Sequence, residues 1–455
     1  MFSKYKFFDE KRKHYKDLSL IDPNDDRDEG MQIYYQDQEE MSDNKRELIN
    51  QCSEMIENNE SPRLLLEQFF PDKYPEFDYF FLENFIQYYQ NQGPDCDFLM
   101  SKIVFSSKKN AFVLGTFGIF DRLYLKAPES LDIIFKIVES NKQSIKFFIN
   151  SGGVFVLAAF SNINELQLKI SQFFLYISNS EFNFEKNFIP PVDFLIGNPN
   201  YDHSNEINYE FFFSNLLFSP IPDVQKNCMK SIENIIVNPQ NKIQTNFIIF
   251  IQNQFDILID TFPYLIPFIL DISFNFDVFN STEKLLNACH SIFQNNIESG
   301  VKPALFFISK DKNIEFICEH DEISEFIFND LILYIKNGSF EISMLSTCVA
   351  AFFLTMCSPS FYGRSFESGI FQYISNVLFS MNPTCFEASN FGFLIDKLEF
   401  FLNKLSMVSV RPNLSEQGES LCELIEALQP YTSYGDQGIA SSASHCITLI
   451  QSFLE

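Results

Sequence analysis

Apolar residues recur every three to four positions in short runs along most of the chain, and each run closes at Gly, Pro or a cluster of Asn and Ser. That spacing puts the apolar side chains on one face of a helix, so it predicts a series of short amphipathic α-helices. The stretch from Ser144 to Asn179 shows the pattern most fully. It predicts a short helix, a break at Gly152 and Gly153, and a second helix with Val154, Leu157, Ala158 and Phe160 on its apolar stripe. A corner at Ser161–Asn164 leads into a third, longer helix. In that helix Leu166, Ile170, Phe173, Phe174 and Ile177 share a face, with Gln167, Lys169 and Gln172 between them. Glycine takes the left-handed conformation after a helix end at little steric cost, which places Gly153 at the junction of the first two helices. Asn164 is the expected N-cap of the third. Helices this short cannot bury their apolar faces alone, so the unit needs neighbours of its own kind, and Phe173 and Phe174 should fill the core between units.

The same order of elements recurs in both directions. Gly118-Ile119-Phe120 matches Gly153-Val154-Phe155, 35 positions later, and Pro128-Glu129-Ser130 opens the helix LDIIFKIVES. Downstream, FFFSNLLF, the corner SPIP and DVQKNCMKSIENIIVN repeat a second helix, corner and third helix. Pro263 and Pro267 break the apolar run from Thr245 to Phe276. Glu298-Ser299-Gly300-Val301 and Glu367-Ser368-Gly369-Ile370 are one signal repeated 69 positions apart. About seven or eight units fit within residues 42–455. Two stretches break the periodicity. Residues 1–41 form an expected mobile charged arm, with six Lys or Arg against two acids up to Lys16 and a reversed sign thereafter. Residues from about 181 to 207, rich in Pro, Gly and Asn, read as an inserted loop that either covers an edge of the array or receives a partner, covering being the favoured reading.

Gly152-Gly153-Val154 and Glu165-Leu166-Gln167 resemble the signature of an armadillo repeat. Asp223-Val224-Gln225 repeats its second part 58 positions on. The resemblance implies an all-α fold, a right-handed α-solenoid of armadillo-like helical repeats, in which the third helices line a concave groove that holds extended peptides. It extends weakly to the importin-alpha-like nuclear-import adaptors, whose third helices carry a ladder of Trp and Asn. Here Trp is absent; Asn234 alone stands where a ladder Asn is expected, and Lys230 takes the corresponding Trp place. Asn234 is therefore the candidate partner-binding residue, and a conventional import adaptor is disfavoured.

Composition narrows the function. A net charge of −27 disfavours nucleic acid and anionic membrane surfaces, whose phosphates it would repel, and is compatible with basic protein partners. Ten single Cys with no CxxC spacing read as free thiols of a reducing compartment, so a cytoplasmic, or nuclear, protein is expected. The first residues lack an apolar core of signal-peptide length, and the apolar run Ile342–Tyr362 is too interrupted for a membrane span. The 56 Phe read as compositional bias, so no single Phe carries functional weight.

No chemistry-bearing motif emerges. Gly115-Thr116-Phe117-Gly118 lacks the lysine of a phosphate loop, and there is no HExxH, GxSxG or kinase set. His320 beside Cys318, Glu319 and Asp321 is the one local cluster of metal-ligand types, and a solvated turn is the favoured reading of it. The sequence thus points to a non-enzymatic scaffold or adaptor that binds proteins or extended peptides, with no cofactor, no metal and no small-molecule substrate expected. The alternative is a nuclear-transport-type receptor for basic cargo segments. An acidic stripe on the third-helix face would favour cargo; a mixed or apolar face would favour the scaffold.

Overall fold

The computed structural model describes residues 43–180, 188–200, 207–238, 241, 245–275, 283–295, 298–381, 388–407 and 418–454. The expected N-terminal arm and residues 181–187 and 201–206 of the insert lie outside the described residues. Among the described residues the fold is all-α, with 25 α-helices and no strand. It divides into two compact units, with the boundary between Leu258 and Ile259.

The first unit contains α1 (Asp43–Glu57), α2 (Arg63–Phe69), α3 (Tyr79–Gln90), α4 (Cys96–Ser106), α5 (Lys108–Thr116), α6 (Phe120–Tyr124), α7 (Leu131–Ser140), α8 (Lys142–Asn150), α9 (Gly153–Ala159), α10 (Asn164–Ile177), α11 (Val192–Gly197), α12 (Tyr209–Leu217) and α13 (Pro222–Val237). The boundary falls within α14 (Thr245–Thr261). In α8, α9 and α10 the apolar residues placed on the buried face by their spacing are buried, except Leu166, which is half-buried. Phe173 stacks on Phe148 of the same unit, with centroids 4.9 Å apart, and Phe174 meets Phe212 of α12 edge-on at 4.7 Å. Equivalent helices stack on one another: α9 on α12, and α10 on α13.

The two adjacent glycines serve different needs. Gly152 carries the left-handed backbone (φ 85°) that turns α8 into α9, whereas Gly153 is the first residue of α9. A Cβ on Gly153 would lie 2.2 Å from the Phe148 ring, so that glycine is there for close approach. Gly118 (φ 75°) before α6 is therefore the counterpart of Gly152, 34 positions away, which shifts the sequence-based match with Gly153 by one. Asn164 is not the N-cap of α10: Ile163 holds that position without a side-chain cap, and Asn164 begins the helix.

The insert folds back on the array. Phe194 of α11 is fully buried and meets Phe155 and Phe160 edge-on, each at 6.1 Å. Asn198 donates its amide to the carbonyls of Tyr124 (2.8 Å) and Ala127 (2.9 Å), which ties the insert to the turn after α6. The described part of the insert thus packs on α6 and α9, with Ile189 and Ile196 exposed.

The second unit continues with α15 (Ile266–Asn275), α16 (Glu283–Gln294), α17 (Glu298–Ile308), α18 (Asp311–Glu319), α19 (Asp321–Asn337), α20 (Phe340–Met356), α21 (Ser360–Glu367), α22 (Ile370–Ser380), α23 (Ala388–Met407), α24 (Gly418–Leu428) and α25 (Gln437–Leu454). α15 packs on α17, α22 on α24, and α20, α23 and α25 stack in succession. Gly369 (φ 78°) makes the break before α22. Gly300, in the identical Glu-Ser-Gly context, lies inside α17. A Cβ there would press on Ile292 at 3.0 Å and Pro267 at 3.2 Å, so helix packing rather than backbone conformation accounts for it.

Candidate partner-binding face

The resemblance to armadillo repeats directs attention to the third helices. In the first unit the helices that the resemblance reads as such are α7, α10 and α13, joined side by side. Lys169 of α10 reaches Asp132 of α7 at 2.8 Å, and Phe135 of α7 stacks on Phe173 at 4.6 Å and meets Tyr176 edge-on at 6.0 Å. Between α10 and α13 the contacts are neutral and spaced by seven residues. Asn227 donates to Ser171 Oγ at 3.2 Å, and Asn234 to Ser178 Oγ at 3.0 Å. Seven residues are two helical turns, so both pairs fall on one seam.

Asn234, the candidate from sequence, is half-buried on this seam with its amide N–H₂ committed to Ser178. Exposed or half-buried positions around it form one strip: Phe135, Lys136 and Glu139 on α7; Leu168, Lys169, Gln172 and Tyr176 on α10; Lys226, Lys230 and Glu233 on α13. Its charge is mixed. Lys136, Lys169, Lys226 and Lys230 alternate with Asp132, Glu139, Glu165, Asp223 and Glu233. Three of the lysines pair locally, Lys136 with Glu139 (3.5 Å), Lys169 with Asp132 and Lys226 with Asp223 (3.8 Å). Exposed pairs of this kind contribute about 0–1 kcal/mol each, so they are replaceable by a partner's charges. Lys230 has no ion-pair partner among the described residues. Burial, and then the Glu139 carboxylate, push the Tyr176 hydroxyl above the usual phenol range, so it stays a neutral hydrogen-bond donor through neutral pH. The strip thus sets aromatic and aliphatic side chains among lysines and carboxylates.

The Gln of the repeat signature does a different job. Gln167 is buried and donates to Ser161 O (2.9 Å) in its own corner and to Asn215 O (3.2 Å) at the end of α12. Its Oε1 accepts from Ser219 Oγ at 2.6 Å. Gln167 and Ser161 recur as Gln225 and Ser219, each 58 residues on, and all four are buried. Gln167 thus ties the corner before α10 to the end of α12, inside the protein. Asn110 is a similar tie that local sequence reading missed: it accepts from Phe77 N (2.9 Å) and donates to Pro75 O (2.9 Å), fixing the link between α2 and α3.

The His320 cluster does not converge. His320 Nδ1 donates to Phe316 O at 2.8 Å and its ring stacks on Phe316, while the Cys318 thiol points to Phe353 O. No group of three or more His, Cys, Asp or Glu among the described residues is placed to hold a metal ion. The described cysteines are free thiols, and burial pushes Cys318, Cys348 and Cys357 up to about 12. Among the described residues no helix is long and apolar enough to cross a membrane. Compared with known proteins, the chain matches no family model and no curated protein sequence.

Proposed function

We propose that this chain is a non-enzymatic protein-binding scaffold or adaptor, built as a right-handed armadillo-like solenoid, that holds an extended polypeptide on the third-helix face of α7, α10 and α13. The recurrence of hinge glycine, corner and signature Gln, with equivalent helices stacked on one another, supports the repeat reading. One observation carries the functional reading: the mixed strip around Tyr176, where apolar side chains lie exposed between readily exchanged ion pairs. A receptor for basic cargo calls for a face dominated by acids, and the alternation of Lys with Asp and Glu here favours the scaffold instead.

The test is comparative capture of partners by the full chain. Tyr176→Ser with Lys230→Glu changes the strip, and Lys146→Glu changes an exposed position on α8 with similar change of charge. The proposal predicts partners retained by wild type and by Lys146→Glu and lost from the double variant. Equal capture by all three chains contradicts it.

A further inference from the structure

Asn337 and Gly338 form the one Asn-Gly step in the chain, and it falls at the two-residue corner between α19 and α20. Asn337 is the last residue of α19 and is exposed, and its side-chain amide has no hydrogen-bond partner among the described residues. Packing accounts for the glycine. A Cβ at Gly338 would lie 2.6 Å from the Tyr334 carbonyl oxygen and 3.0 Å from Ile342 of α20. Tyr334 is itself fixed: it is buried, and its hydroxyl donates to Phe293 O of α16 at 3.2 Å. Gly338 has a negative φ (−73°), so close approach and not a left-handed backbone demands it. Two of the last carbonyls of α19 are closed at this corner. Gly338 N–H donates to Tyr334 O at 2.9 Å, and Ser343 Oγ of α20 donates to Ile335 O at 2.8 Å.

We propose that Asn337 is a deamidation site whose rate is set by opening of the last turn of α19. The chemistry needs only water. The Gly338 backbone nitrogen loses its proton to solvent and attacks Asn337 Cγ. A cyclic succinimide closes through the new N–C bond, and the side-chain amide takes up a proton and leaves as ammonia. Water then adds to either carbonyl of the ring and opens it, giving Asp or isoaspartate at position 337. Two features of the corner fix where and when this runs. A Cβ on the residue after Asn337 would crowd the attacking nitrogen, and the packing at 338 excludes one. In the closed turn the Gly338 N–H is committed to Tyr334 O, so ring closure waits until that bond breaks. Either product places a carboxylate at the C-terminal end of α19, where the helix dipole is negative. Isoaspartate also adds a methylene to the backbone of the corner. The modification is therefore a one-way loosening of the joint between α19 and α20.

The test is to incubate the full chain in mildly alkaline buffer, with and without denaturant, and to follow Asp and isoaspartate at position 337 by peptide mass spectrometry. In denaturant, 337 should convert ahead of every other Asn. In the folded chain it should convert at least about tenfold more slowly, because the turn must open first. Ser343→Ala removes the bond to Ile335 O and should speed the folded reaction about two- to tenfold, the effect of one ordinary hydrogen bond on an opening equilibrium, with the denatured rate unchanged. Gly338→Ala should slow the denatured reaction at least about fivefold, a comparison that holds whether or not that variant folds. No product at 337 in the folded chain after prolonged incubation, a folded rate equal to the denatured one, or a folded Ser343→Ala rate equal to wild type would each overturn the proposal.

Discussion

Gln167→Leu isolates the joint between successive units better than any core truncation, because leucine keeps most of the volume and removes only the polar tie. In wild type the Gln167 amide satisfies Ser161 O, Asn215 O and the Ser219 hydroxyl at 2.9, 3.2 and 2.6 Å. Asn215 is half-buried, so water can reach its carbonyl, whereas Ser161 and Ser219 are buried at 0% and 1% exposure. Two buried groups are therefore stranded, at about 1–3 kcal/mol each. The added apolar burial of leucine offsets about 1–2 kcal/mol of this. At the middle of these ranges the net loss is about 2.5 kcal/mol, roughly 70-fold faster local opening. Hydrogen exchange read on α10 and α12, with α23 and α25 as internal reference, should show that acceleration on the first pair alone. A change of less than about threefold would mean that the corner is held by something other than the signature Gln, and the reasoning about stranded buried groups would fail.

Phe174→Ala removes a fully buried ring that bridges α10 to Phe212 and Phe213, and should cost about 3–5 kcal/mol, read as a lowered thermal midpoint for the first unit; Phe173→Ala should do the same. Gly118→Ala and Gly152→Ala separate backbone conformation from crowding. Both glycines have positive φ, but a Cβ at 118 meets open space while one at 152 lies 2.7 Å from Pro191. Gly118→Ala should cost about 1–2 kcal/mol and Gly152→Ala clearly more, and equal thermal shifts would contradict the assignment. Asn198→Ala removes the amide that ties the insert to the carbonyls of Tyr124 and Ala127, and limited proteolysis should then cut residues 188–200 faster than in wild type.

Helices and their buried faces were legible from the sequence because a 3.6-residue period is a local property, and the burial of Phe173, Phe174, Ile170 and Ile177 follows from it. Hinge glycines were legible as a class but not individually. Gly152 and Gly153 are adjacent, one needed for positive φ and the other for a close approach by Phe148, and a sequence offers no means of assigning the two roles. The Glu-Ser-Gly repeat misled for a related reason: at Gly369 the backbone turns, at Gly300 a neighbouring helix presses in, and four residues of context do not specify either. Polar ties were the least legible. Asn234 meets Ser178 across 56 residues, and His290 meets Asp330 across 40, so each pair exists only once the helices are stacked. The expected cap Asn164 failed on the same count. The corner's buried polar bonds run instead through Gln167, whose partners Asn215 and Ser219 lie in the next unit.

A photo-crosslinking side chain placed at single positions on the full chain would test the binding face most directly. Position 176 lies on the strip, position 230 at its lysine without an ion-pair partner among the described residues, and position 146 on α8. The account predicts that 176 and 230 join the same partner polypeptide and that 146 joins none. A partner captured at 146 and absent from 176 and 230 would place the binding surface elsewhere and contradict the third-helix face as the working surface of this protein.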